Sequence, residues 1–159
     1  MNNNVRLVDL PPLRVASFHA YGASPERVVL AQMQAWAERH GYLDDGQQHR
    51  IFGFDNPIPS PGSPNYGYEV WFEVAPEQAG DGDETVTWKE MPGGRYAVLR
   101  CEALPDGSNI PAAWEALARW LEESHYHYPP QRQCLEEHLG HLALKPGHFV
   151  LDLYLPIEE

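Results

Sequence analysis

Two stretches of this chain set an acid two positions ahead of an aromatic residue, Glu69 with Trp71 and Asp152 with Tyr154. In an extended strand, residues i and i+2 share a face, so each pair places a carboxylate beside a ring. That combination suits an organic cation. The rings cover its apolar body and attract its charge through their negative faces, and the carboxylate neutralises it. A solvated acid next to an aromatic that merely fills a pleat position is the plainer reading of either pair, and the recurrence weighs against it.

A third acid joins them. In Gln133 to Leu139, period two sets Cys134, Glu136 and His138 against Leu135, Glu137 and Leu139. If Leu135 and Leu139 turn to the core, Glu136 turns to the same side as the two pairs. A desolvated Glu136 offers two chemistries. It can pair with a cation, or it can act as a general base on water while Tyr154 donates to a developing oxyanion. Binding needs only the pocket, whereas catalysis also needs a positioned water.

Other chemistry finds little support. Cys134, His138 and His141 have a spacing compatible with metal ligation, but the first two lie two pleats apart and no fourth ligand is evident. No metal and no cofactor are expected. There is no G-x-S-x-G, P-loop or dinucleotide-binding fingerprint.

The elements that must position these residues occur twice. LRVASFHA leads into SPERVVLAQMQAWAERHGY, and GRYAVLRCE leads into NIPAAWEALARWLEESHY. Trp36 and Trp120 fall near the two helix ends, each followed six residues later by a tyrosine, Tyr42 and Tyr126. Ser24 with Pro25 is a helix start, Gly41 a helix stop, and Asn109 with Pro111 starts the second helix. Val29, Met33, Trp36 and His40 form one stripe; Ile110, Trp114, Leu117 and Leu121 form the other. Further strands are predicted over His49 to Phe54, Tyr66 to Val74, Gln133 to Leu139 and His148 to Leu155, with an edge strand over Val86 to Met91. Asp55 to Asn65 reads as a Pro/Ser loop, and Ala75 to Asp83 as an acidic joint between halves. The fold class is α+β. It consists of a tandem β-α-β-β repeat with pseudo-twofold symmetry, a largely antiparallel sheet with two helices packed on one face, and a ligand cleft between the halves. All 159 residues make one domain, half one spanning about 13–75 and half two about 84–157. In the closing strands, Phe149, Leu151, Leu153 and Leu155 should pack under a helix, as should Tyr68, Val70, Phe72 and Val74.

The net charge is −12, with only 11 Lys and Arg, which argues against direct nucleic-acid binding and fits a cationic ligand or a basic protein partner. No run approaches the length of a membrane span. MNNNVRLVDLPP lacks the apolar core of a signal peptide, so the expected location is the cytoplasm, with Cys101 and Cys134 as free thiols.

Nearly the whole chain, from about Leu13 to Ile157, resembles the GyrI-like small-molecule-binding family, the effector-binding domain of drug-sensing regulators. The resemblance rests on IFGFDNPIPSPG, YGYEVWFEV followed by APE, GGRYAVLRCE with IPAAWEALARWL, CLEEHL, and the closing LDLYLPIE, in that order. It implies a cleft for bulky, hydrophobic, often cationic compounds, with a buried Glu as charge partner. By position that Glu falls on Glu136, with Asp152 and Tyr154 from the last strand and Glu69 and Trp71 on the opposite wall. Tyr68, Tyr96 and Phe54 complete the expected lining, Tyr68 being the one that periodicity places on the core face. The chain departs from the family where Leu135 and His138 replace an aromatic and a tyrosine, and where ALPDGSN replaces the usual Gly-Pro-Tyr turn. The flanks leave no room for a helix-turn-helix, so a stand-alone binding domain is expected. The resemblance also carries two alternatives: hydrolysis of strained electrophiles through the same Glu, and a gyrase-inhibitor-like protein interaction.

Overall fold

The structure, a computed structural model, describes residues 4–75, 86–140 and 147–159. The joint predicted at Ala75 to Asp83 and the loop at Lys145-Pro146 lie almost wholly outside the described residues, as does His141. Ten elements follow in chain order: β1 (Arg6–Leu10), β2 (Leu13–Gly22), α1 (Pro25–Arg39), β3 (Ile51–Asp55), β4 (Tyr66–Glu73), β5 (Thr87–Met91), β6 (Gly94–Ala103), α2 (Ile110–Glu123), β7 (Leu135–His138) and β8 (Phe149–Pro156). The class is α+β, and the β-α-β-β unit occurs twice.

The chain divides into two compact units, Pro12–Met91 and Met1–Pro11 with Pro92–Glu159. The unit boundaries fall at the Pro11-Pro12 and Met91-Pro92 junctions. In the Pro12–Met91 unit the strands run β3-β4-β2-β5; in the other they run β1-β6-β8-β7. Every pairing within each unit is antiparallel. Each unit thus has the same order, and the strand that leads into one repeat (β1 before β2, β5 before β6) forms the edge of the other unit's sheet. β5 matches the edge strand expected over Val86 to Met91. β1 is an element the sequence reading missed, because RLVDL is short and mostly exposed, as edge strands are.

In the Pro12–Met91 unit α1 begins at Pro25, with Ser24 at the N-cap position and Glu26 in the first turn. It stops at Gly41, whose φ of 74° only glycine takes readily. The Tyr42 amide donates to the Ala37 carbonyl and the Gly41 amide to that of Glu38, which fills the last carbonyls. Val29, Met33 and Trp36 are buried against Ala16, Tyr68, Val70, Phe72 and Val74. In the other unit Leu117 is buried, and Trp114 and Leu121 pack beside it against Ala97, Leu99, Leu151, Leu153 and Leu155. Both apolar faces predicted for β4 and β8 are therefore under their helices. The two Trp-Tyr spacings have one meaning: the rings of Trp36 and Tyr42 lie 5.2 Å apart, and those of Trp120 and Tyr126 6.0 Å.

Candidate functional site

In the Pro12–Met91 unit, Glu69 and Trp71 lie on the sheet face away from α1. Glu69 is only 3% exposed and accepts four hydrogen bonds: from Ser17 Oγ (2.8 Å), Trp71 Nε1 (2.6 Å) and Lys89 Nζ (2.7 Å) at one oxygen, and from Asn56 Nδ2 (3.0 Å) at the other. Burial pushes its pKa upward, but the donors, led by Lys89, outweigh it and hold the carboxyl below its usual range. Phe54 meets the Trp71 ring edge-on, at 4.8 Å between centroids and 72° between planes. Tyr68 is on the opposite face, 1% exposed within the core under α1. A cavity of about 310 Å³ is lined by Ser17, Phe18, Gln32, Glu69, Thr87 and Lys89 among others.

In the other unit, Asp152 and Tyr154 lie on the face away from α2. Asp152 is 2% exposed and accepts a two-pronged bond from Arg100, Nε at 2.9 Å and Nη2 at 3.1 Å, and a further bond from Arg6 Nη2. Burial again opposes ionisation, and the two guanidinium groups overcome it, so its pKa is also lowered. Tyr96 meets Tyr154 edge-on at 5.5 Å, and the Arg132 guanidinium sits over the Tyr96 ring at 4.5 Å.

The register of β7 corrects the expectation for Glu136. Glu136 pairs with Leu153, a residue of the core under α2, so its side chain shares the helix side. There Trp114 Nε1 donates to it over a long 3.4 Å. Leu135 pairs with Tyr154 and Glu137 with Asp152, so Leu135, Glu137 and Leu139 point the other way. Glu137 is 5% exposed, and Tyr154 donates its hydroxyl to Glu137 Oε1 at 2.7 Å. The acid on the same face as Asp152, Tyr154 and Tyr96 is therefore Glu137.

Of the residues named from sequence, the structure gathers Asp152, Tyr154 and Tyr96 on one face of one unit, and Glu69, Trp71 and Phe54 on one face of the other. Tyr68 and Glu136 are on the helix sides. The sequence reading missed Glu137 and the basic partners Lys89, Arg6 and Arg100. Arg100 could have been found by pairing Arg95 to Cys101 with the last strand, because its side chain alternates to the same face as Asp152. Among the described residues no group of three or more His, Cys, Asp or Glu is arranged to hold a metal ion. Cys101 and Cys134 are free thiols, and burial raises both pKa values. No helix among the described residues is long and apolar enough to cross a membrane.

The model of the GyrI-like small molecule binding domain matches residues 3–158. The chain belongs to this family. No curated protein matches it. Among solved structures, the EcmrR C-terminal domain resembles it with a TM-score of 0.68 at 12% identity, covering 98% of this chain and 97% of that one. Against the EcmrR chain in its DNA complex, this GyrI-like domain spans 57% of the length. SAV2435 bound to tetraphenylphosphonium has a TM-score of 0.56 at 11% identity, covering 97% and 93% of the two chains. A hydrolase from Listeria innocua has a TM-score of 0.64 at 11% identity, covering 98% and 92%. At these identities the likeness is one of fold.

Proposed function

We propose that this GyrI-like domain binds hydrophobic organic cations and that Glu137 is their charge partner. The observation that carries this reading is the buried carboxylate of Glu137, bonded to Tyr154 on the face that also holds Tyr96. A carboxylate bonded to one of two touching phenol rings offers both charge and flat apolar surface to an aromatic cation. Glu69 and Asp152, the other two buried acids on these faces, pair with Lys89 and with Arg6 and Arg100, and the Glu137 charge also acts on Arg100. Binding of tetraphenylphosphonium by SAV2435 is consistent with this chemistry. The test is calorimetric titration with tetraphenylphosphonium and with a neutral tetraphenyl analogue. Glu137→Gln should weaken the cation at least tenfold, about 1.4 kcal/mol, and spare the neutral compound.

A hydrolytic reading draws on the same 2.7 Å bond, because a carboxylate next to a phenolic donor pairs a general base with an oxyanion donor. In it, Glu137 takes the role expected of Glu136. Product formation from a strained electrophile, abolished by both Glu137→Gln and Tyr154→Phe, would support hydrolysis; unaltered recovery of the compound would leave binding alone.

A further inference from the structure

We propose that Asp152 is a positioning residue for cation binding, one that keeps Arg6 and Arg100 from turning onto Glu137, an inference that rests on Glu137 being the charge partner. In the register of β6, β8 and β7, Arg100 lies directly across from Asp152, and Asp152 directly across from Glu137. The three side chains form one row across the sheet, on the face away from α2, with Asp152 in the middle. Arg6 reaches the same carboxylate from the edge strand β1.

Such a row sets two carboxylates in competition for the same arginines. Arginine stays charged, and its planar fork matches a carboxylate. Neighbouring strands lie about 4.8 Å apart, so Arg100 and Glu137 are separated at the backbone by about 10 Å, a gap two long side chains can close. The Arg100 pKa is raised first by its bond to Asp152, and the charges of Asp152 and Glu137 add to that pull. Asp152 wins by geometry. It takes Arg100 with both prongs, Nε at 2.9 Å and Nη2 at 3.1 Å. Among the described residues, every side-chain hydrogen bond of Arg6 and Arg100 ends on Asp152. The acid is 3% exposed and fixed, whereas the arginine side chains are 44% and 50% exposed and have room to turn. Without the Asp152 charge, the next buried acid in the row is Glu137. Glu102, two positions along β6 from Arg100, is 40% exposed and so competes through water. Two arginines facing one buried carboxylate would neutralise from within the charge that a ligand cation needs.

The experiment is a calorimetric titration of the whole chain with tetraphenylphosphonium, arranged as a double-mutant cycle. Asp152→Asn should weaken the cation roughly tenfold or more, and adding Arg100→Gln to it should recover roughly fivefold or more. Arg100→Gln on its own should strengthen the cation by less than about threefold. Loss of a charge alone would act equally in both backgrounds, so the difference isolates a repositioned arginine. If Asp152→Asn fails to fold, Arg100→Lys carries the test. It keeps the charge but not the two-pronged bond, and should weaken the cation severalfold where Arg100→Gln strengthens it. A crystal structure of Asp152→Asn supplies a readout without ligand, in which Arg6 or Arg100 should bond Glu137 at about 2.8 Å. Equal effects of Arg100→Gln in both backgrounds, native affinity in folded Asp152→Asn or in Arg100→Lys, or arginines that leave Glu137 untouched in that structure would each overturn the proposal. No weakening by Glu137→Gln, with an arginine on Glu137 in the Asp152→Asn structure, would instead sink the ligand reading alone.

Discussion

Tyr154 on β8 donates its hydroxyl to Glu137 on the neighbouring strand β7 at 2.7 Å, and both side chains are buried, at 1% and 5% exposure. A phenol and a carboxylate in contact away from water hold each other's geometry, because loss of either member withdraws a charge-assisted bond. Tyr154→Phe removes the donor and keeps the ring. It should lower stability by about 1–2 kcal/mol, measured by urea denaturation with an unchanged m-value.

The two paired acids predict acid sensitivity. Glu69 and Asp152 are held below the ordinary carboxylate range in the folded chain. A depressed folded pKa gives stability that is fully present above the unfolded value and is lost as pH falls through the folded one. Denaturation midpoints should therefore be flat near neutrality with respect to these groups and fall steeply below about pH 4. Asp152→Asn should flatten part of that acid limb and cost about 1–3 kcal/mol at pH 7, since Arg6 and Arg100 lose their charged acceptor.

His138 adds a separate step at higher pH. Burial lowers its pKa to about 4, against the opposing pull of the Glu137 charge. The folded chain keeps the ring neutral while the unfolded chain protonates it near pH 6.5, so stability should drop as pH falls from about 6.5 toward about 4. The ring keeps part of its surface exposed, so the loss should be roughly 2 kcal/mol rather than the full amount for a sealed site. His138→Gln should remove this step while leaving the lower carboxylate limb, as followed by thermal melts across pH.

Gly53 tests the packing beneath α1. The Tyr68 ring lies where a β-carbon on Gly53 would stand, and the added atom would collide with the Tyr68 hydroxyl and ring carbons. Gly53→Ala should destabilise by about 1–3 kcal/mol through overpacking, visible as a lower melting temperature.

Much of this was legible in the sequence. The alternation of Tyr68, Val70, Phe72 and Val74 with Glu69, Trp71 and Glu73 assigns both faces of β4, because only one of those faces is rich in apolar side chains. Both helix stripes and the glycine stop at Gly41 follow from spacing alone. β7 misled for a physical reason. In its unit both faces of the sheet are buried: Val98, Leu135, Val150 and Tyr154 are as hidden on the side away from α2 as Leu151 and Leu153 are beneath it. Apolarity then no longer marks the helix side, and Leu135 in the strand with Leu139 just past its end assigns the wrong face. A one-residue shift exchanges Glu136 for Glu137. The basic partners were hidden differently, because the pairing of Arg6 and Lys89 with distant acids depends on edge strands lodged in the sheet of the other repeat.

The most direct measurement compares tetraphenylphosphonium affinity in the native chain, Glu136→Gln and Glu137→Gln, with folded-state spectra for each. The account predicts at least a tenfold loss for Glu137→Gln and less than a twofold change for Glu136→Gln, whose side chain lies beside Trp114 on the helix side. Native-like affinity in folded Glu137→Gln, or a larger loss in Glu136→Gln, would contradict it.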